Sequence, residues 1–273
     1  MQNATAKKKK PKRPLVYQPY KKGRWRTSLA ARRGLRVLMY YLIYIFLYVI
    51  LGAVMSFDSV LLRVLCNGAM VMACLLLQYV NGTKDGENEV ALGEIAYQRE
   101  QAGQKVDPGD VDRCFHPMKG WFTMLCGVAL PVLIALVYAV LAQPQVYALQ
   151  SLPGWVSSFS AQEDVYAPFS YYPTSASVAP FDILRIVVRV LILPFANMVG
   201  GKDPDALLLI DRLSPLLVVV PALGYPLGYM QGRRIRAMVH GSIADSTRKA
   251  QRRAKKAIKE RRMRSQQKNK ESI

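Results

Sequence analysis

The chain has 273 residues, of which 51% are hydrophobic and 38 are Lys or Arg, giving a formal net charge of +20. Its apolar residues are gathered into long blocks and do not recur at the periods of 2 or 3.6 that mark half-buried strands and helices, which excludes an ordinary soluble domain. Its positive charge is concentrated before residue 37 and after residue 231, so the charge belongs to two tails and not to a folded basic groove.

The first part of the chain predicts a basic tail followed by two membrane spans. Residues 1–36 carry 13 Lys or Arg together with prolines, which predicts a disordered basic cytoplasmic tail. Residues 37–80 contain two apolar runs, at 37–55 and 60–80, separated by a short link. At 1.5 Å per residue, each run is long enough to cross most of a hydrocarbon core about 30 Å thick. We therefore predict a transmembrane helical hairpin.

The next segment, residues 81–119, is polar, and we predict a cytoplasmic loop with one short helix over residues 90–101. Its acidic side chains Asp85, Glu87 and Glu89 alternate as at the start of a calcium loop. The glycine and the glutamate that such a loop needs further on are missing, so we interpret the cluster as a solvated turn.

A stretch without positive charge sets the expected orientation. Residues 120–184 contain no Lys or Arg, and segments of that kind lie on the side of the membrane away from the cytoplasm. We predict a third transmembrane helix over residues 120–142 and an extracytoplasmic aromatic loop with an interfacial helix over residues 143–204. This orientation places both termini in the cytoplasm.

Residues 182–199, within that loop, are apolar enough to be taken for a span. A narrow polar stripe runs along them, formed by Asp182, Arg185 and Arg189, and such a stripe is typical of a helix that lies in the membrane interface. We predict an outer interfacial helix broken at Pro194, with a re-entrant or spanning arrangement left open.

The last apolar run, residues 205–231, predicts a fourth transmembrane helix, and residues 232–273 predict a basic cytoplasmic helical tail. Gly224, Gly228 and Gly232 recur every four residues beside two prolines. Small residues at this spacing let helices pack closely, whereas a transporter site at the broken span is the alternative. Candidate partner positions at the same spacing are Ala69, Ala73, Ala135 and Ala139.

Motifs for chemistry are missing from the sequence. It has no nucleophile elbow, phosphate-binding glycine loop or HExxH pattern. Cys114 and His116 could begin a metal site, but the only other histidine is His240. We therefore predict that the protein is not an enzyme and has no bound metal or cofactor.

The basic tails are the strongest functional signal. Each Lys or Arg close to an anionic leaflet contributes about 1 kcal/mol, so anionic phospholipid is the favoured partner. A membrane or cytoplasmic protein is a further possible partner, nucleic acid is less favoured, and the oligomeric state stays open. The residues expected to contact lipid or nucleic acid are Lys7, Lys8, Lys9, Lys10, Arg252, Arg253, Lys255 and Lys256.

Four short segments, residues 84–90, 93–95, 127–131 and 221–229, resemble uncharacterised multi-pass integral membrane proteins of Gram-positive bacteria. The resemblance implies a bacterial plasma membrane and no particular activity. Together with the residues, it predicts an all-α integral membrane protein with four transmembrane helices, an outer interfacial helix and basic cytoplasmic tails. We expect an accessory or scaffold subunit. The alternatives are a small transporter or channel component and a membrane-tethered protein that binds RNA or the ribosome.

Overall fold

The structure of the protein is a computed structural model, and it describes residues 15–52, 57, 59–143, 180–199 and 204–271. Within these residues every element of regular structure is an α-helix, which confirms the all-α class. The helices in chain order are α1 (Ser28–Gly52), α2 (Val60–Gln101), α3 (Pro108–Arg113), α4 (Pro117–Leu141), α5 (Pro180–Leu191), α6 (Leu193–Val199), α7 (Pro204–Ala222) and α8 (Gly224–Glu271).

Four of the described helical stretches are long and apolar enough to cross a membrane, as the sequence predicted. They are α1, α2, α4 and the run formed by α7 with α8. Tyr41, Tyr138 and Val218 belong to the core that joins α1, α4 and α7. Large apolar side chains also point outward, with Leu61 70% and Val140 80% exposed. Such outward surface suits lipid, because lipid tails are as apolar as the side chains themselves.

The prediction of a disordered tail through residue 36 is wrong for residues 15–36. Residues 15–27 are irregular but bound to three other segments by backbone hydrogen bonds. Val16 N donates to the carbonyl of Ala237, Lys21 N to Gly93 and Gly23 N to Phe115. The Thr27 hydroxyl accepts from Ala30 N at 3.1 Å, an N-cap contact that starts α1 nine residues before the apolar run. Lys7 to Lys10 lie outside the described residues.

The prediction of a loop from residue 81 is also wrong. α2 continues to Gln101 as one helix, so the short helix predicted over residues 90–101 is its last part, and a further helix, α3, follows at Pro108–Arg113. The polar half of α2 stays helical because it packs along α8. This packing stabilises residues 81–89, whose sequence alone gives little indication of a helix. We call the end of the bundle that holds this half of α2 and the starts of α1 and α4 the polar end.

The segment expected to lie in the outer interface is inserted among the helices instead. α5 starts beside Tyr138, near the end of α4, where the Phe181 and Tyr138 rings lie 5.6 Å apart. Its last carbonyl, at Leu191, accepts from the Tyr41 hydroxyl in the middle of α1. α6 then returns to Arg63, near the start of α2, whose guanidinium donates to the Val199 carbonyl at 2.9 Å. The two helices are separated at Ile192, two residues before the expected break.

Both ends of the α5 and α6 hairpin therefore lie at the end of the bundle opposite the polar end. The polar stripe of α5 turns inward because it finds a partner there: Arg189 donates to Asp211 on α7 at 2.8 Å. Ile183 and Ile186 lie on the exposed side. This is the reverse of an interfacial helix, whose polar face would meet the headgroups.

Candidate functional site

At the polar end, α2 and α8 run parallel and touch through their backbones. A Cβ atom added to Gly228 would lie 2.0 Å from the Tyr79 carbonyl oxygen, and one added to Gly82 would lie 2.1 Å from that of Tyr225. Both distances are far below an ordinary contact, so no other residue fits there without moving a helix. The glycines in this contact are Gly82, Gly86, Gly224, Gly228 and Gly232.

The three glycines of α8 thus lie against α2, but not at the positions expected from the sequence. Their nearest neighbours are Leu75, Tyr79 and Gly86, further along α2 than Ala69 and Ala73. An alanine carries a Cβ atom, for which the close approach of the two backbones leaves no room, whereas Gly82 and Gly86 have no Cβ atom. The glycine face is occupied by α2, so it offers no exposed backbone of the kind a transporter site uses.

Next to this contact, the carboxylate of Glu89 is fully buried and has three partners from three other helices. Arg33 of α1 and the Tyr229 hydroxyl of α8 donate to it, and Lys119 Nζ of α4 donates at 2.9 Å. A buried charge is tolerated only when it is paired and hydrogen-bonded, and here both conditions hold. Glu89 therefore fixes the relative positions of α1, α2, α4 and α8 at the polar end.

The ammonium group of Lys119 is equally buried, with 0% of its side chain exposed. Besides Glu89, its Nζ donates to the carbonyls of Asp112 at 3.0 Å and Cys114 at 2.7 Å. An ammonium has three donors, and all three are used. Lys119 therefore ties the loop between α3 and α4 to the carboxylate on α2.

Two more carboxylates of α2 face α8 on either side of Glu89. Asp85 accepts from the Tyr225 hydroxyl at 2.9 Å, and Glu94 pairs with Arg236 at 3.0 Å and with His240 at 2.9 Å. The interpretation of the acidic cluster as a solvated turn is therefore wrong. Asp85, Glu87 and Glu89 are all helical, and the carboxylates of Asp85 and Glu89 bond to neighbouring helices.

A cavity of about 280 Å³ opens between α1 and α2 beside this network. Its charged wall contains three cations, Arg33, Arg36 and Lys84, and one carboxylate, Asp85. Gln78 also lines the cavity; it is 1% exposed, and its Oε1 atom accepts no hydrogen bond from the described residues. The remaining lining residues are Val37, Tyr40, Asn81, Asn88 and Tyr225.

The segment before α4 holds the cysteine and histidine considered as metal ligands. Burial raises the pKa of the Cys114 thiol, and its Sγ donates to the Asp110 carbonyl. Burial and the nearby charge of Lys119 lower the pKa of His116, whose Nδ1 accepts from Met118 N and caps α4. Among the described residues, no group of three His, Cys, Asp or Glu side chains is placed to hold a metal ion.

A second buried pair lies toward the opposite end of the bundle. Asp211 is 2% exposed and accepts from Arg189 and, at 2.8 Å, from the Tyr138 hydroxyl. Asp211 lies near the start of the segment predicted as the fourth transmembrane helix, residues 205–231. Its burial shows that the side chain lies inside the bundle, where Arg189 compensates its charge.

Four of the predicted basic contact residues lie within the described part of the chain. Arg252, Arg253, Lys255 and Lys256 are on the last part of α8, apart from both clusters, and all are exposed. Sequence reasoning missed Arg33, Lys119 and Tyr229 as partners of Glu89. One signal was present: Gly82 and Gly86 repeat the four-residue spacing of the glycines on α8, which predicts a facing pair.

The described residues form an all-helical protein with four helices long and apolar enough to cross a membrane and a paired-charge cluster at their polar end, which is compatible with a multi-pass membrane protein. Within that class, the chain matches no protein-family model, no curated protein and no solved structure. The resemblance to membrane proteins of Gram-positive bacteria stays an expectation.

Proposed function

We propose that the protein is an accessory or scaffold subunit of the bacterial plasma membrane, and that the end of α8 binds an acidic cytoplasmic protein. The supporting observation is the exposure of that end. Every residue from 246 to 261 is exposed, and this stretch carries eight Lys or Arg and one Glu. A helix that packs on none of the described residues does not gain its stability from a core within them.

The charges along this helix repel one another. Arg248 and Arg252, Lys249 and Arg253, and Arg252 and Lys256 are pairs of like charge four residues apart. Like charges at this spacing destabilise an isolated helix by about 0.2–0.5 kcal/mol per pair. An acidic surface alongside the helix removes this cost and adds attraction, which favours a bound partner.

Distance favours a cytoplasmic partner over the lipid surface for this part of α8. Leu227 and Met230 are the last exposed large apolar side chains of α8 before Arg233, and only Met238 and Ile243 follow before residue 246. Arg248 lies 15 residues beyond Arg233, about 22 Å at the rise of an α-helix. The Debye length at physiological salt is about 8 Å, so the field of an anionic leaflet is largely screened there. Anionic phospholipid is the partner we propose for Lys7 to Lys10.

A narrow apolar stripe favours a protein over RNA. Ala250, Ala254, Ala257 and Ile258 fall on one side of the helix, and Ile258 is 54% exposed. An apolar stripe between cations fits a groove on a protein surface, whereas RNA backbone binding needs only the cations.

The test is co-purification of the full chain from membranes in mild detergent. We expect a stoichiometric acidic protein with the wild type, and its loss when Arg252, Arg253, Lys255 and Lys256 are all changed to Glu. The matched control changes Lys7 to Lys10 to Glu, an equal change in charge, and should retain the partner.

A further variant separates the two classes of partner. Ile258→Ser should weaken a protein partner and leave nuclease-sensitive RNA unchanged. Retention of the protein by the α8 variant, or its equal loss in both fourfold variants, contradicts the proposal, as does recovery of RNA alone.

A further inference from the structure

We propose that the cavity between α1 and α2 binds a phosphate ester. Its charged wall holds three cations against one carboxylate. The carboxylate, Asp85, already accepts from Tyr225, and one of the cations, Arg33, is already paired with Glu89. An anion entering the cavity therefore meets an excess of positive charge.

Two of the cations are available to a ligand. Arg36 and Lys84 are exposed at the cavity wall, and neither forms an ion pair within the described part of the chain. A guanidinium presents donors in a planar fork that matches phosphate oxygens, and an ammonium adds a compact charge. Together with Arg33, they form a wall that suits a phosphate group better than a neutral molecule.

Val37 and Gln78 line the cavity as its neutral part. Gln78 is 1% exposed, and its Nε2 donates to the Val37 carbonyl at 3.1 Å, so its amide is covered by the helices and is not a group that a ligand contacts. The groups within reach of a ligand are therefore the charged ones. Arg33 and Tyr40 are seven residues apart on α1, so the cavity extends over about 10 Å of helix.

The same chemistry occurs in two sources, a lipid headgroup and a soluble ester. The cavity lies where α1 and α2 pass from exposed apolar side chains, such as Met39 and Leu77, to charged ones. Lipid headgroups lie at that level of a bilayer, and the cavity also opens toward the polar end. The proposal is independent of any partner on the end of α8.

The test uses the full chain, purified and freed of lipid, with glycerol 3-phosphate as the soluble probe and phosphatidylglycerol as the lipid probe. Glycerol 3-phosphate is titrated calorimetrically, and native mass spectrometry compares retention of phosphatidylglycerol with that of phosphatidylcholine. Binding of either probe supports the proposal and identifies its source. Failure of both probes overturns it.

Variants locate the site. Arg36→Gln and Lys84→Gln should each weaken binding by roughly tenfold, because hydrogen bonds to a charged group contribute on that order. Arg32→Gln, on the same helix but outside the cavity wall, is the matched control and should bind like the wild type. Equal effects of Arg32→Gln and Arg36→Gln would place the anion elsewhere and refute the assignment.

Discussion

The backbone contact between α2 and α8 predicts that a single methyl group at Gly228 destabilises the protein. The added Cβ atom would lie 2.0 Å from the Tyr79 oxygen, whereas ordinary contacts begin at 3.4 Å, so the helices must move apart by about 1.4 Å. Overpacking of this kind costs about 1–3 kcal/mol. The movement also stretches the hydrogen bond from Thr83 to the Gly228 carbonyl, already 3.3 Å long, and draws Tyr229 away from Glu89.

The net effect follows from opposing contributions. Alanine favours a helix over glycine by about 1 kcal/mol, which offsets part of the strain. The loosened hydrogen bonds to buried groups add about 1–3 kcal/mol. We expect Gly228→Ala to lower the free energy of unfolding by about 2–3 kcal/mol. At roughly 2–4 °C per kcal/mol this corresponds to a fall in Tm of about 8 °C.

The assay is the thermal loss of the monodisperse species in detergent, followed by size-exclusion chromatography. Gly68→Ala is the matched control, because its Cβ atom meets only the end of Met198, at 3.8 Å. It should leave Tm unchanged or raise it. Gly228→Leu should be more damaging than Leu227→Ala, which removes a side chain that is 43% exposed. The reasoning fails if the two alanine variants have the same Tm.

Three further predictions concern charge, pH and orientation. Lys119→Met should destabilise the protein by about 3–5 kcal/mol, because it leaves the buried Glu89 carboxylate without one of its partners. Arg99→Met removes an exposed ion pair and should cost under about 1 kcal/mol by the same Tm measurement. The lowered pKa of His116 means that the folded state resists protonation of its imidazole, so the free energy of unfolding should decrease as pH falls below 6.5. His116→Asn keeps a capping group and should remove this pH dependence, which is checked by measuring Tm from pH 7 to 5. In a cysteine-free background, a cysteine at Ser158 should react with an impermeant maleimide on intact cells, and one at Ser265 should not. Labelling at Ser265 would show that the proposed orientation is wrong.

The four apolar helices could be predicted because each is a local property of the sequence. Around residues 37–55, for example, nineteen consecutive uncharged residues leave a membrane helix as the simplest arrangement. In the polar half of α2, the sequence predicted a helix only over residues 90–101. Residues 81–89 have the composition of a loop, and the contact with α8 makes the continued helix favourable there.

The partners of Glu89 could not be predicted from the local sequence either, because they are distant along the chain. Arg33 is 56 residues away in sequence, Lys119 is 30 and Tyr229 is 140. Taken one at a time, a carboxylate in a polar segment and a cation at the start of an apolar run each read as solvated. These side chains can be predicted to form a buried cluster only when the neighbouring helices are known. The matching glycine spacing on α2 and α8 was the one indication in the sequence that these two helices are neighbours.

The inward stripe of α5 illustrates how a correct pattern supports two opposite structures. A row of polar side chains on an apolar helix is compatible with a position in the membrane interface when the other helices offer no charged partner. The same row is compatible with the bundle interior when a charged partner lies there. Asp211 is that partner, and the sequence places it close enough to the start of the fourth span to be read as lying in water. Burying either charge carries a desolvation cost, which is offset only by the attraction between the two charges. Asp211 and Arg189 therefore had to be interpreted together, since either one alone indicates an interfacial position.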